Sequence, residues 1–105
     1  MVLGLAYKAN VDDCRESPSF VLMEKLEAKG AQVEYNDPFV PAVPPTREHA
    51  HFTGKHSVKI EDAYDLILVS TDHAEYKTFD FSSYSGPLVD SRNCIIKKPK
   101  KYYHA

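Results

Sequence analysis

The chain has few of the features that would assign it at once. Its 105 residues hold four glycines and contain neither a Gly-x-Gly-x-x-Gly nor a Gly-x-x-x-x-Gly-Lys-Ser/Thr run, so neither the usual dinucleotide fingerprint nor a P-loop is present. There are two cysteines, Cys14 and Cys94, far apart in sequence. That is too few for a disulfide framework and suits a reducing, cytoplasmic compartment. No apolar run approaches the roughly 20 residues of a membrane-spanning helix, and no membrane partner is expected. Excess positive charge is missing as well. A formal net charge of -2 and a pI near 6.2 give no global reason to expect nucleic acid or an acidic membrane surface, so any basic site must be local. Repeats and low-complexity tracts are absent too. What remains is 43% hydrophobic and 27% charged residues, ordinary for one soluble globular domain.

The pattern that organises the chain lies at its start. Residues 2–7 are apolar without alternation and too short for a helix, which is how a strand covered on both faces reads. Ser17 and Pro18 then supply an N-cap and a first-turn proline for a helix running to Gly30. In that helix Leu22, Met23 and Leu26 take one side and Glu24, Lys25, Glu27 and Lys29 the other, with Gly30 at the C′ position. Residues 31–35 alternate apolar with polar, as a strand nearer the sheet edge does. Together these make a βαβ unit with two parallel neighbouring strands. A core-type strand directly after residue 1, with no polar lead-in, suggests a domain excised from a longer polypeptide.

Further along, Asn36-Asp37-Pro38 ends the second strand, and Pro41, Pro44 and Pro45 oppose regular structure up to about Thr46. Residues 46–60 show no clean period, and only a short extended piece near 55–59 is expected. Residues 61–64 suit a turn of helix, and 66–69 form a second all-apolar central strand closed by Ser70-Thr71-Asp72-His73. Residues 74–79 suit a short helix, 87–89 a strand running into Asp90-Ser91-Arg92-Asn93, and 97–105 a solvated basic tail. The expected fold is α/β: a Rossmann-like three-layer sandwich on a mostly parallel sheet of about four or five strands. Residues 1–96 form the domain and 97–105 the tail.

Lys8, Arg15 and Arg92 all fall at strand ends or helix starts, where a doubly wound sheet gathers its ligand contacts. Amides at residues 17–20 would add donors and a favourable helix dipole, so the group reads as an anion site. The plainer alternative pairs Arg15 with Asp12 or Asp13 and leaves Lys8 merely exposed. Cys14 sits beside Arg15 ahead of a helix start, where a thiol pKa would fall, but no histidine adjoins it in sequence. His49 and His51 lack a third ligand for a metal. His73, at a strand's carboxyl end, is the histidine best placed to touch a ligand, although packing is the preferred reading of it.

Gly4-Leu-Ala-Tyr-Lys8, Asp12-Asp13-x-Arg15-Glu16-Ser17-Pro18, Lys29-Gly30-Ala31-x-Val33, Asn36-Asp37-Pro38, Thr71-Asp72-His73 and Val89-Asp90-Ser91-Arg92-Asn93 together resemble the carboxy-terminal domain of the UDP-glucose and GDP-mannose dehydrogenase family. The last motif is most similar to the branch acting on UDP-N-acetylhexosamines. The resemblance implies an NAD-dependent enzyme that oxidises the C6 alcohol of a UDP-sugar to a carboxylate through a cysteine-bound thiohemiacetal and thioester. It also implies that this chain lacks the amino-terminal Rossmann domain, the central segment and the nucleophilic cysteine, so it would be inactive alone and would partner its own missing domains in a homo-oligomeric enzyme. By position in the motifs, Tyr7 and Lys8 would contact the nucleotide-sugar, Arg15 would approach NAD, and Arg92 would meet the substrate's nucleotide or phosphate side. The rival is a receiver-type regulatory or interaction domain, whose acidic pair would directly follow the first strand. Asp12 and Asp13 come several residues too late for that, while Asp72 mimics a strand-end aspartate.

Overall fold

The computed structural model describes residues 1–104. Five strands, β1 (Val2–Leu3), β2 (Tyr35–Asn36), β3 (Ile67–Val69), β4 (Leu88–Asp90) and β5 (Tyr102–His104), form one sheet ordered β2-β1-β3-β4-β5. Every pairing is parallel. Among the described residues two helices accompany the sheet, α1 (Pro18–Ala28) and α2 (Ala74–Thr78), with a 3-10 turn at Ala50–Phe52. Because successive strand residues point to opposite faces, Val2 joins Phe20 and Met23 of α1 in one apolar cluster. Leu3 joins Ile67, Val69, Leu88 and Tyr76 of α2 in another. The sheet is thus the middle of three layers.

The ends of α1 follow from sequence chemistry. Ser17 is extended, and its Oγ accepts from the Ser19 amide at 3.2 Å, with Pro18 opening the helix. At the other end Gly30 has φ +93. Its amide donates to Glu27 O at 2.9 Å, and the Ala31 amide donates to Leu26 O at 3.1 Å, which is the full Schellman pair of bonds. The buried side of α1 is Ser19, Phe20 and Met23, with Leu26 packed beside them and Leu22 half-buried.

Four local expectations change. The first strand ends at Leu3 because Gly4 turns to φ +93, and a Cβ there would lie 2.7 Å from the Thr71 amide nitrogen and 2.9 Å from its Cα. Only glycine lets β1 and the loop after β3 approach so closely. Residues 31–35 are not a strand throughout, since α1's terminal bonds use the start of the segment and pairing begins at residue 34, where Glu34 O accepts from Val2 N. Residues 61–64 are turn rather than helix. The segment read as a basic tail supplies strand β5 as well as solvated lysines: Tyr102 Oη donates to Asp90 Oδ2 at 2.7 Å and ties it to β4. The tail's last residue, 105, lies outside the described residues. Near residues 55–59 the expected extended piece is a bridge from Ala42 to His56, with Val58 N donating to Tyr35 O.

Candidate functional site

In a sheet of this order the chain reverses direction between β1 and β3, and the carboxyl ends of those strands leave a crevice between outgoing loops. Loop residues 4–16 leave β1, residues 37–40 leave β2, residues 70–73 leave β3 and residues 91–95 leave β4. What holds them is a set of buried polar ties. Thr71 Oγ1 donates to Ala6 O at 2.8 Å, Ser19 Oγ donates to Gly4 O at 2.8 Å, and the Ser19 and Ser70 hydroxyls meet at 2.6 Å. Each bond crosses from one element to another, so the crevice floor is cross-tied.

Asp37 is the hub. Its Oδ2 accepts from the Leu5 and Ala6 amides at 2.7 and 2.9 Å, and its Oδ1 accepts from the Phe39 and Val40 amides at 2.7 and 3.2 Å. His73 Nε2 lies 2.8 Å from Asp37 Oδ2, and both side chains are wholly buried. The Asn10 amide donates to His73 Nδ1 at 2.8 Å, so Nδ1 is the acceptor and the ring proton sits on Nε2. Burial pushes the Asp37 carboxyl up, but the His73 bond and the Ala6, Phe39 and Leu5 amides more than reverse this, and its pKa falls below the ordinary value. His73 is therefore not open to a ligand. The sequence placed it at the crevice, but the proline-rich segment after Asp37 carries the Phe39 ring to 4.8 Å from it.

The cations lie on the rim. Lys8 and Tyr7 are exposed on the loop after β1, Tyr7 at 53%. Arg92 is exposed on the loop after β4, and its Nε donates to Ser70 O at 2.9 Å, which draws the guanidinium toward the end of β3. Arg15 forks onto Asp13, with Nε to Oδ1 at 3.1 Å and Nη2 to Oδ2 at 2.9 Å. This is the plainer pairing foreseen for it. The Arg15 guanidinium and amide hold the Asp13 carboxyl down to about 2. Tyr7, Asp13, Arg15 and Glu16 line one open cavity of about 550 Å³. The expected helix-end donors are spent internally, since Ser19 N is capped by Ser17 and Phe20 N reaches Ser17 O at 3.4 Å. The start of α1 therefore does not offer the free amides expected for an anion, and Arg15 in this cavity is already paired with Asp13.

Three non-glycine residues in these loops are left-handed: Asn10 at φ 62, Glu16 at φ 58 and Asn93 at φ 55. Such backbone is costly and persists where neighbouring contacts impose it. Asn10 shows how, with its amide on His73 and its Oδ1 accepting from Ala74 N at 2.9 Å.

The remaining candidates are accounted for by packing. Cys14 is 3% exposed, and burial raises its thiol pKa. Cys94 is pushed up to about 11, by burial and then by the Asp90 charge. Both thiols are free. His49 stacks on Phe20 with centroids 5.0 Å apart and meets Glu24, while His51 faces Glu27 at 3.4 Å. Strand β1 ends well before Asp12 and Asp13, so the acidic pair of a receiver domain is not reproduced. A cavity of about 520 Å³ opens at the other end of the sheet, lined by Met1, Leu26, Val33, Tyr64, Leu66 and Leu68 among others. It lies away from the crevice loops.

A wholly parallel sheet of this order, covered on both faces, defines a Rossmann-like α/β domain, with Lys8, Arg15 and Arg92 on loops that leave the carboxyl ends of its strands. Residues 1–97 match the model of the UDP-glucose/GDP-mannose dehydrogenase family, UDP binding domain, and the chain belongs to that family. It is 33% identical over 103 residues to a UDP-N-acetyl-D-mannosamine dehydrogenase of Pyrococcus horikoshii, covering 93% of this chain and 22% of that one. Against a UDP-glucose 6-dehydrogenase of Bacillus subtilis the identity is 35% over 101 residues, covering 89% and 22%. The solved UDP-D-ManNAc dehydrogenase from Pyrococcus horikoshii superposes with a TM-score of 0.74 at 29% identity, over 98% of this chain and 24% of that structure. The chain thus spans roughly a quarter of its relatives' length.

Proposed function

We propose that the chain is the carboxy-terminal, UDP-sugar-binding domain of an NAD-dependent nucleotide-sugar 6-dehydrogenase. The parent enzyme would oxidise the C6 alcohol of a UDP-N-acetylhexosamine or UDP-glucose to a carboxylate in the cytoplasm, as a homo-oligomer. The observation that carries this reading is the family match over residues 1–97, which includes every loop at the switch-point crevice. In this reading Lys8 and Arg92 neutralise the diphosphate. A guanidinium presents parallel N–H donors to two phosphate oxygens, and the bond from Nε to Ser70 leaves the Arg92 Nη donors for that role. Tyr7 is exposed beside Lys8 and contributes a ring and a hydroxyl to the nucleotide-sugar.

The residues present do not amount to a dinucleotide site. Arg15 is the one side chain assigned toward NAD, it is already forked onto Asp13, and no glycine-rich turn follows a strand. NAD would be held mainly by the parent's amino-terminal domain, where it supplies the hydride acceptor. What this chain does is bind, orient and cover the substrate.

Calorimetric titration of UDP into the 105-residue chain tests the reading. Weak binding is expected, and Lys8→Ala or Arg92→Ala should each lose one charge-assisted contact, about 1.5 to 3 kcal/mol, or roughly ten- to a hundredfold in Kd. An absence of binding at millimolar UDP, or binding untouched by both substitutions, overturns it. Reduction of NAD by the isolated chain in the presence of a UDP-sugar also overturns it.

A further inference from the structure

We propose that His73 is a positioning residue for the loop that carries Tyr7 and Lys8, with Asp37 fixing the tautomer through which it acts. The loop is gripped at two places by one buried pair. Before Tyr7, the Leu5 and Ala6 amides donate to Asp37 Oδ2 at 2.7 and 2.9 Å. After Lys8, the Asn10 amide donates to His73 Nδ1 at 2.8 Å. His73 Nε2 and Asp37 Oδ2 join these grips at 2.8 Å, with both side chains wholly buried.

Asp37 is essential to the direction of the second grip. By accepting a hydrogen bond from Nε2–H it leaves Nδ1 as a bare acceptor, the form of the ring that can receive an amide N–H. The left-handed turn at Asn10, φ 62, is then held from outside rather than by its own preference. Asn10 Oδ1 accepting from Ala74 N completes the tie to the start of α2. Between the two grips the backbone of Tyr7 and Lys8 has little freedom, while both side chains stay exposed.

The proposal rests on the reading of Tyr7 and Lys8 as substrate contacts, and its test separates the two ideas by splitting the two nitrogens of His73. His73→Gln places an amide nitrogen where Nε2 stood, keeping the donor to Asp37 and losing the acceptor for Asn10. His73→Asn places an amide oxygen where Nδ1 stood, keeping the acceptor and losing the Asp37 bond. Both variants and the unaltered chain are compared for UDP affinity, thermal unfolding and hydrogen exchange at the amides of residues 7–10. The expected result is faster exchange at those amides and roughly tenfold weaker UDP binding in His73→Gln, with both retained in His73→Asn even though its melting temperature also falls. Equal losses in the two variants, or unchanged affinity and exchange in His73→Gln, overturn the proposal. Where the unaltered chain itself fails to bind UDP, the substrate reading falls, and the exchange pattern alone decides whether His73 holds the loop.

Discussion

At the scale of single residues, two buried carboxylates do most of the organising. Asp37 gathers the loops after β1 and β3. Asp90 gathers the loop after β4 by accepting from the Ile95 amide at 2.9 Å, Tyr102 Oη at 2.7 Å and the Arg92 amide at 3.2 Å. For both groups burial pushes the pKa up and the convergent donors more than reverse it, leaving each below its ordinary value. A carboxyl depressed on folding contributes stability that is present above its unfolded pKa, about 3.9, and is lost as pH falls through the lower folded value. Melting temperature should therefore drop steeply below about pH 4. Asp90→Asn should lower the neutral-pH value and flatten the acid limb. An acid limb as steep in Asp90→Asn as in the unaltered chain would show that the Asp90 bonds are worth less than their geometry suggests.

At the scale of elements, the strands are two or three residues long, and much of the cohesion passes through side chains that bond to neighbouring backbone. Strand β5 is the clearest case. It lies at the sheet edge with Tyr103 57% exposed, and the Tyr102 hydroxyl links it to the Asp90 carboxylate. Tyr102→Phe removes a hydrogen bond to a charged group and should cost about 1.5 to 3 kcal/mol, read as a lower midpoint in denaturant unfolding with an unchanged slope. The same element shows where sequence reading stops. The two central strands were legible because Leu3, Ile67 and Val69 are apolar without alternation, and α1 because Ser17, Pro18 and Gly30 carry their own chemistry. Strand β5 was hidden, because four lysines and a proline precede it and the tyrosine that recruits it pairs with an aspartate twelve residues earlier. Likewise Lys8, Arg15 and Arg92 could be placed at loop positions from the pattern. Tyr7 came only through family resemblance, and the Asp37 to His73 bond spans 36 residues with no local signal.

At the scale of the whole molecule, the apolar clusters lie on the two faces of the sheet while the strain lies at its rim. Glu16 is exposed and left-handed at φ 58, next to the N-cap of α1. A left-handed L-residue costs about 1 to 2 kcal/mol, and glycine returns part of that through its greater freedom in the unfolded chain. Glu16→Gly should therefore raise the melting temperature modestly, and an unchanged or lower value would mean that the Glu16 side chain makes a compensating contribution. The wider consequence concerns engineering. If Glu16→Gly does gain stability, the loops around the crevice hold unused heat resistance, and recovering it there would exchange a fixed rim for a looser one. A search for hardier variants that screened on survival alone would then drift toward chains that hold together better and present the proposed substrate contacts less firmly.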